Sequence, residues 1–142
     1  MAKSLSAFFA QNAKSVDNRK IALSPRFVDE KGNTMEWEIT CITAAENQKL
    51  RRDSQRNVPV PGKRGQYSQE MDMARYQAKL ASRCVVFPDL NDASLQESYG
   101  VMSAEQLAGA MLTPAEFDDL IFAITDLCGF TSDNELTEEA KN

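Results

Sequence analysis

The sequence predicts an α+β fold, predominantly α-helical, with one antiparallel β-hairpin over about residues 20–41 packed on a bundle of four to six helices. Two observations carry this. Met35, Trp37, Ile39 and Cys41 alternate with Glu36, Glu38 and Thr40, the period of a strand with one buried face. Three Ser/Thr-x-x-Glu/Gln patterns, at Thr43–Glu46, Ser103–Gln106 and Thr113–Glu116, have the form of helix N-terminal capping boxes.

Taken in order, residues 1–15 form an amphipathic segment. Leu5, Phe8 and Phe9 stand at i, i+3 and i+4 of a short helix over 4–12. Such a helix is marginal alone and must dock on its own core or on another chain. A single globular domain follows over 16–130. Its hairpin begins with Ile21, Leu23 and Phe27, is interrupted by Pro25, and turns through Asp29–Asn33, a turn composition. A helix over 44–55 follows Thr43. Residues 56–66, with two Pro, two Gly and three basic residues, read as a mobile, exposed basic loop. Ser68 opens a helix to about Val85, apolar on two stripes and hence central. Short helices follow over 92–99, stopped at Gly100, and over 104–111. Thr113-Pro114-Ala115-Glu116 combines an N-cap, Pro at the first helical position and Glu at the third. The helix after it sets Phe117, Leu120, Ile121, Ile124, Leu127 and Cys128 on one face. Residues 131–142 read as an acidic, flexible tail.

The chain has 142 residues, 42% hydrophobic and 26% charged, which suits one ordinary globular domain. No apolar run reaches 18 residues, and the first 13 lack the apolar core of a signal peptide. The expectation is a cytoplasmic protein that contacts no membrane. Cys41, Cys84 and Cys128 are widely spaced, without C-x-x-C, and read as buried thiols.

Chemistry is scarce. Histidine is absent, which removes the commonest general base and the usual triads and zinc sets. No nucleotide-binding glycine motif occurs. Asp118 and Asp119 point about 100° apart on a helix and do not converge on one ligand. The reading is no enzyme, no cofactor and no metal.

Charge is segregated. Residues 49–83 hold nine Lys or Arg against three acids, and residues 84–142 one Lys against twelve acids. Such a chain neutralises itself or presents one sign to a partner. The basic stretch has no interleaved aromatics for base stacking, and the whole chain carries −5, so nucleic-acid binding is not expected. Phe122 lies off the apolar stripe of the last helix. It is either covered by a second neighbour in the fold or left exposed for a partner, and the reading favours coverage by the fold. The candidate partner-binding residues are Leu5, Phe8, Phe9, Arg51, Arg52, Arg56 and Phe122.

Several segments resemble a known family. They are Arg26-Phe27-Val28-Asp29-Glu30-Lys31-Gly32-Asn33, Met35-Glu36-Trp37-Glu38-Ile39, Thr43-Ala44-Ala45-Glu46-Asn47, the stretch from Pro88 to Val101, and Met111-Leu112-Thr113-Pro114-Ala115-Glu116-Phe117. Cys128-Gly129-Phe130 stands where many relatives have Asn-Gly-Phe. Together they resemble the XkdN-like phage tail assembly chaperones of phages and prophages of Gram-positive bacteria. The resemblance spans roughly 20–130 and is most specific from Pro88 to Val101. It implies a non-enzymatic assembly factor that binds the tape-measure protein, and often tail-tube subunits, in the host cytoplasm. Such a factor is absent from the mature virion, can self-associate, and can have a longer frameshifted form. The alternatives are a permanent structural tail component and a small nucleic-acid-binding regulator.

Overall fold

The computed structural model describes residues 4–129; the acidic tail expected over 131–142 lies outside them. The elements run β1 (Arg19–Ile21), β2 (Trp37–Ile39), α1 (Ala44–Arg52), β3 (Gln55–Pro59), β4 (Tyr67–Met71), α2 (Met73–Cys84), β5 (Val85–Phe87), α3 (Ala93–Ser98), α4 (Ala104–Met111) and α5 (Pro114–Leu127). Helix accounts for 41% and strand for 17% of the described residues. The fold is α+β, with five α-helices and two small sheets among the described residues, and the expectation of a predominantly helical protein is corrected.

The expected hairpin is present but shorter in its strands. β1 and β2 pair antiparallel with Arg19 opposite Ile39 and Ile21 opposite Trp37. Pro25, which has no N–H to give a ladder, lies in the connection. The turn forms at the expected residues: Asp29 Oδ1 accepts from the amides of Lys31 and Asn33 at 2.8 and 2.9 Å, and Val28 bridges Thr34. Those amide donors hold the Asp29 carboxyl below its ordinary range. A third strand, β5, pairs with β2 to give the order β1-β2-β5. The sequence hid it, because Val85-Val86-Phe87 follows Cys84 of α2 directly, with no turn residue between them.

The largest correction concerns 55–85. Residues read as a loop and as the start of a helix form a second hairpin, β3–β4, from Gln55 opposite Met71 to Pro59 opposite Tyr67. Its tip turns through Val60–Lys63 and Lys63–Gln66, with amide-to-carbonyl bonds of 3.2 Å each, on the Pro61-Gly62 and Arg64-Gly65 pairs. Nearly every residue of this ribbon is exposed, so neither strand shows the apolar alternation that marks a half-buried strand. The real start of α2 is Asp72, whose carboxylate accepts from the Arg75 amide at 3.1 Å. The amphipathic helix expected over 4–12 is also corrected. Only one 3₁₀ turn, Ser6–Phe8, forms, with no side-chain cap, as the cost of nucleating a short undocked helix dictates.

The core is Trp37 and Ile39 of β2, Tyr76, Leu80, Ala81 and Cys84 of α2, Val85, Leu90, Leu107, Ala108, Met111 and Leu112 around α4, and Leu120 and Ile124 of α5. Helix α2 is its hub, packing on α1, α4, α5 and β5. Trp37 meets Phe27 with ring centroids 6.0 Å apart. Cys84 is fully buried, and Cys41 and Cys128 are partly so. Gly100 (φ 68°) ends α3 in a Schellman arrangement: the Val101 amide reaches the Gln96 carbonyl at 3.1 Å and the Gly100 amide that of Glu97 at 3.0 Å.

Helix α5 is tied down at its start. Thr113 Oγ1 accepts from the Glu116 amide, and the Glu116 carboxylate accepts from the Thr113 amide at 3.0 Å, a complete capping box. Arg26 donates to the same carboxylate at 2.5 Å and to the Met111 carbonyl at 2.8 Å. This brings the hairpin connection, the end of α4 and the start of α5 together. The other two patterns close only halfway. Thr43 and Ser103 accept from the third helical amide, but Glu46 turns to Arg83 and Gln106 to the Met102 amide.

Candidate interaction surface

Helix α2 forms the floor of a groove whose walls are α1 and α5. The groove is about 270 Å³ and is lined by Asn47 and Arg51 of α1, Met73, Tyr76, Gln77 and Leu80 of α2, and Ile121 and Thr125 of α5. Each helix contributes residues four apart, which share one face. Leu80 is fully buried and closes the floor, whereas Met73 is 52% exposed. Tyr76 Oη donates to Asn47 Oδ1 across the α1–α2 seam. Burial pushes the Tyr76 phenol above its ordinary pKa, with nearby Arg51 pulling the other way.

The wall helices differ in character. Lys49, Arg51 and Arg52 occupy the last turn of α1, where cations oppose the negative end of the helix dipole. No residue of α1 is fully buried, and α1 is held to α2 by half-buried Leu50 and by the Arg83–Glu46 ion pair at 2.7 Å. On α5, Ile121 and Thr125 face the groove while Asp118 and Phe122 follow around the same side. Phe122 is 65% exposed, so its expected coverage by the fold is corrected. The neighbours that cover α5 take its Leu120–Ile124 side.

The candidate partner-binding residues do not form one site. Arg51 lines the groove, and Phe122 follows the groove residue Ile121 on α5, about 100° around the helix from it. Arg52 points about 100° away from Arg51 on α1, and Arg56 is exposed on β3. Leu5, Phe8 and Phe9 are exposed on the N-terminal segment. Met73, Ile121 and Thr125 were missed as site residues. Only Ile121 falls on a stripe that reads as core, the apolar face of the last helix; Met73 and Thr125 give no signal of their own in the sequence.

Other concave regions lie among the described residues, one of them lined by Lys20, Glu36, Glu38, Val86 and Phe87. A polar cleft of about 460 Å³ between α1, α2 and α4 includes Glu46, Lys49, Lys79, Arg83 and Glu105; Arg83–Glu46 and Lys79–Glu105 pair across it at 2.7 and 3.0 Å. A smaller apolar recess of about 170 Å³ lies beside β5, walled by Phe27, Met35, Trp37, Phe87, Pro88 and Met111. Among the described residues no cluster of His, Cys, Asp or Glu could hold a metal ion, and no helix is long and apolar enough to cross a membrane.

A family model described as phage XkdN-like tail assembly chaperone protein matches residues 5–141. The chain is 29% identical over 140 residues to the phage-like element PBSX protein XkdN of Bacillus subtilis strain 168, covering 97% of this chain and 93% of that protein. It is 28% identical, with the same coverage, to the uncharacterized protein YqbN of the same strain. The crystal structure of YqbN superposes with a TM-score of 0.76 at 21% identity, over 92% of this chain and 100% of that one. The two share the fold.

Proposed function

Because the chain belongs to the XkdN-like phage tail assembly chaperones, we propose that it binds the tape-measure protein during tail morphogenesis, in the host cytoplasm, and leaves before the tail is complete. Tail-tube subunits and a frameshifted longer form of the chain are the further partners of this reading. Membranes and nucleic acid are not among its partners. The observation that supports it is the surface around the α1–α2–α5 groove. Met73 and Phe122 are more than half exposed there, beside half-buried Ile121. Large apolar side chains grouped at a concavity suit the temporary covering of a client's own apolar surface. No step in this role needs a bond made or broken, so it agrees with a chain that lacks histidine.

The test is co-expression with the tape-measure protein of the same gene cluster, followed by affinity capture and quantitative mass spectrometry of purified virions. Capture of the tape measure, with the chain absent from virions, is the expected result. Failure to bind it at micromolar concentration removes the proposal. Near-stoichiometric presence in virions makes the chain a permanent tail component instead.

A further inference from the structure

The groove also defines what kind of segment fits it. Its walls are helices, whose backbone amides and carbonyls are spent within each helix. It therefore offers side chains but no open sheet edge. An extended segment laid there would leave its own backbone groups without partners, whereas a helix satisfies its own. The floor and inner walls are apolar through Met73, Leu80 and Ile121. The charges on the two sides are opposite: Arg51 lines the α1 wall, and Asp118, one turn before Ile121 on α5, shares the helix face of Ile121 and Thr125. Both are exposed, and neither takes part in the ion pairs among the described residues.

We propose that the α1–α2–α5 groove holds an amphipathic helix of the client with an acidic flank facing Arg51 and a basic flank facing Asp118. The inference rests on the reading of this chain as a client-binding chaperone and names the chemistry of the segment it takes. It also fixes direction. Turning a helix end for end exchanges its flanks, so a client with split flanks pairs with both rims in only one orientation. The rims thus choose the polarity of the bound helix, while Met73, Ile121 and Phe122 supply the apolar contact.

Three synthetic helical peptides test this with the full chain. They share one Leu stripe and differ in flanks: Glu on one side and Lys on the other, Glu on both, or Lys on both. By fluorescence anisotropy at low salt, the split peptide should bind about fivefold tighter than either single-sign peptide, the effect of exchanging one rim attraction for repulsion. Arg51→Glu should move the preference to the all-Lys peptide, and Asp118→Lys to the all-Glu peptide. Both positions are exposed, and circular dichroism checks that each variant is folded. Ile121→Asp should weaken all three. Equal affinity for the three peptides, no binding of any, or an unchanged preference in Arg51→Glu overturns the proposal. A concentration-dependent dimer lost in Ile121→Asp also overturns it, giving the groove to a second copy of the chain. The peptide ranking is independent of the tape-measure capture. If the tape measure binds wild type and Arg51→Glu alike, the groove inference fails and the functional reading stands. If the peptides rank as expected and the tape measure does not bind, the reverse holds.

Discussion

Leu80 and Ile121 line the same groove but carry different loads, and the contrast can be measured. Leu80 is completely buried on the hub helix, while Ile121 is only half-buried. Leu80→Ala removes three carbons from a fully buried site on the hub helix, between α1 and α5. The loss of apolar burial plus the residual cavity costs about 3 kcal/mol, within the usual range of about 2–5 for buried Leu. Against a total of about 5–15 kcal/mol that is a large share, and it lowers Tm by about 10 °C in a chain of this size. Ile121→Ala keeps solvent on one side and costs about 1 kcal/mol or less. The assay is urea unfolding followed by fluorescence of Trp37, the single tryptophan and 2% exposed, so its emission reports loss of the core. The midpoint should fall with the denaturant slope unchanged. A Leu80→Ala cost below about 1 kcal/mol, or equal costs for the two variants, would refute the division between core and groove.

Three further outcomes follow from local contacts. Thr113→Ala removes the hydroxyl that caps α5 and should cost about 1 kcal/mol in the same unfolding experiment. Hydrogen bonds from Arg26, Ser24 and the Thr113 amide hold the Glu116 carboxyl at about 2, below its ordinary 4.5. Because the folded value is depressed, the stabilisation is fully present above about pH 4.5 and is lost as pH falls toward 2. Glu116→Gln should therefore flatten stability against pH within that window and leave its slope elsewhere unchanged. Burial pushes the Cys84 thiol up to about 12 and the Cys41 thiol to about 11. At pH 8 a disulfide reagent should leave Cys84 unmodified until the chain unfolds, with Cys41 reacting slowly; rapid native labelling of all three thiols would contradict the packing.

What the sequence could and could not tell follows from how each element is stabilised. The cap of α5 was readable because Thr113, Pro114 and Glu116 act on their own neighbours in the chain. The turn at Asp29–Asn33 was readable for the same reason. The β3–β4 ribbon was not, since its pairing rests on backbone bonds between polar, exposed residues and leaves no hydrophobic rhythm. β5 was hidden by apolar residues on both sides of the helix–strand junction. The coverage of Phe122 depended on which neighbours pack on α5, and that is decided by residues far away in sequence. The groove had the same difficulty: Asn47 and Arg51, Met73 and Gln77, and Ile121 and Thr125 are three local pairs whose meeting is a tertiary fact.

The charge pattern left two outcomes open, internal neutralisation or presentation to a partner, and the ion pairs separate them. Four occur among the described residues: Arg19–Asp126, Arg26–Glu116, Lys79–Glu105 and Arg83–Glu46. Only Lys79 and Arg83 come from the basic stretch 49–83, so seven of its nine cations take no part in those pairs. The cations that do the internal pairing with α5 are instead Arg19 and Arg26, from before that stretch. Among the described residues, then, these pairs leave most of the basic stretch un-neutralised, with Arg51 lining the groove and Asp118 exposed on α5. Exposed pairs contribute about 0–1 kcal/mol to folding, so charges arranged this way do little for the fold. Their effect falls on what approaches the groove and in which direction it lies. A client held through them should dissociate faster as salt rises, while one held only by Met73, Ile121 and Phe122 should not.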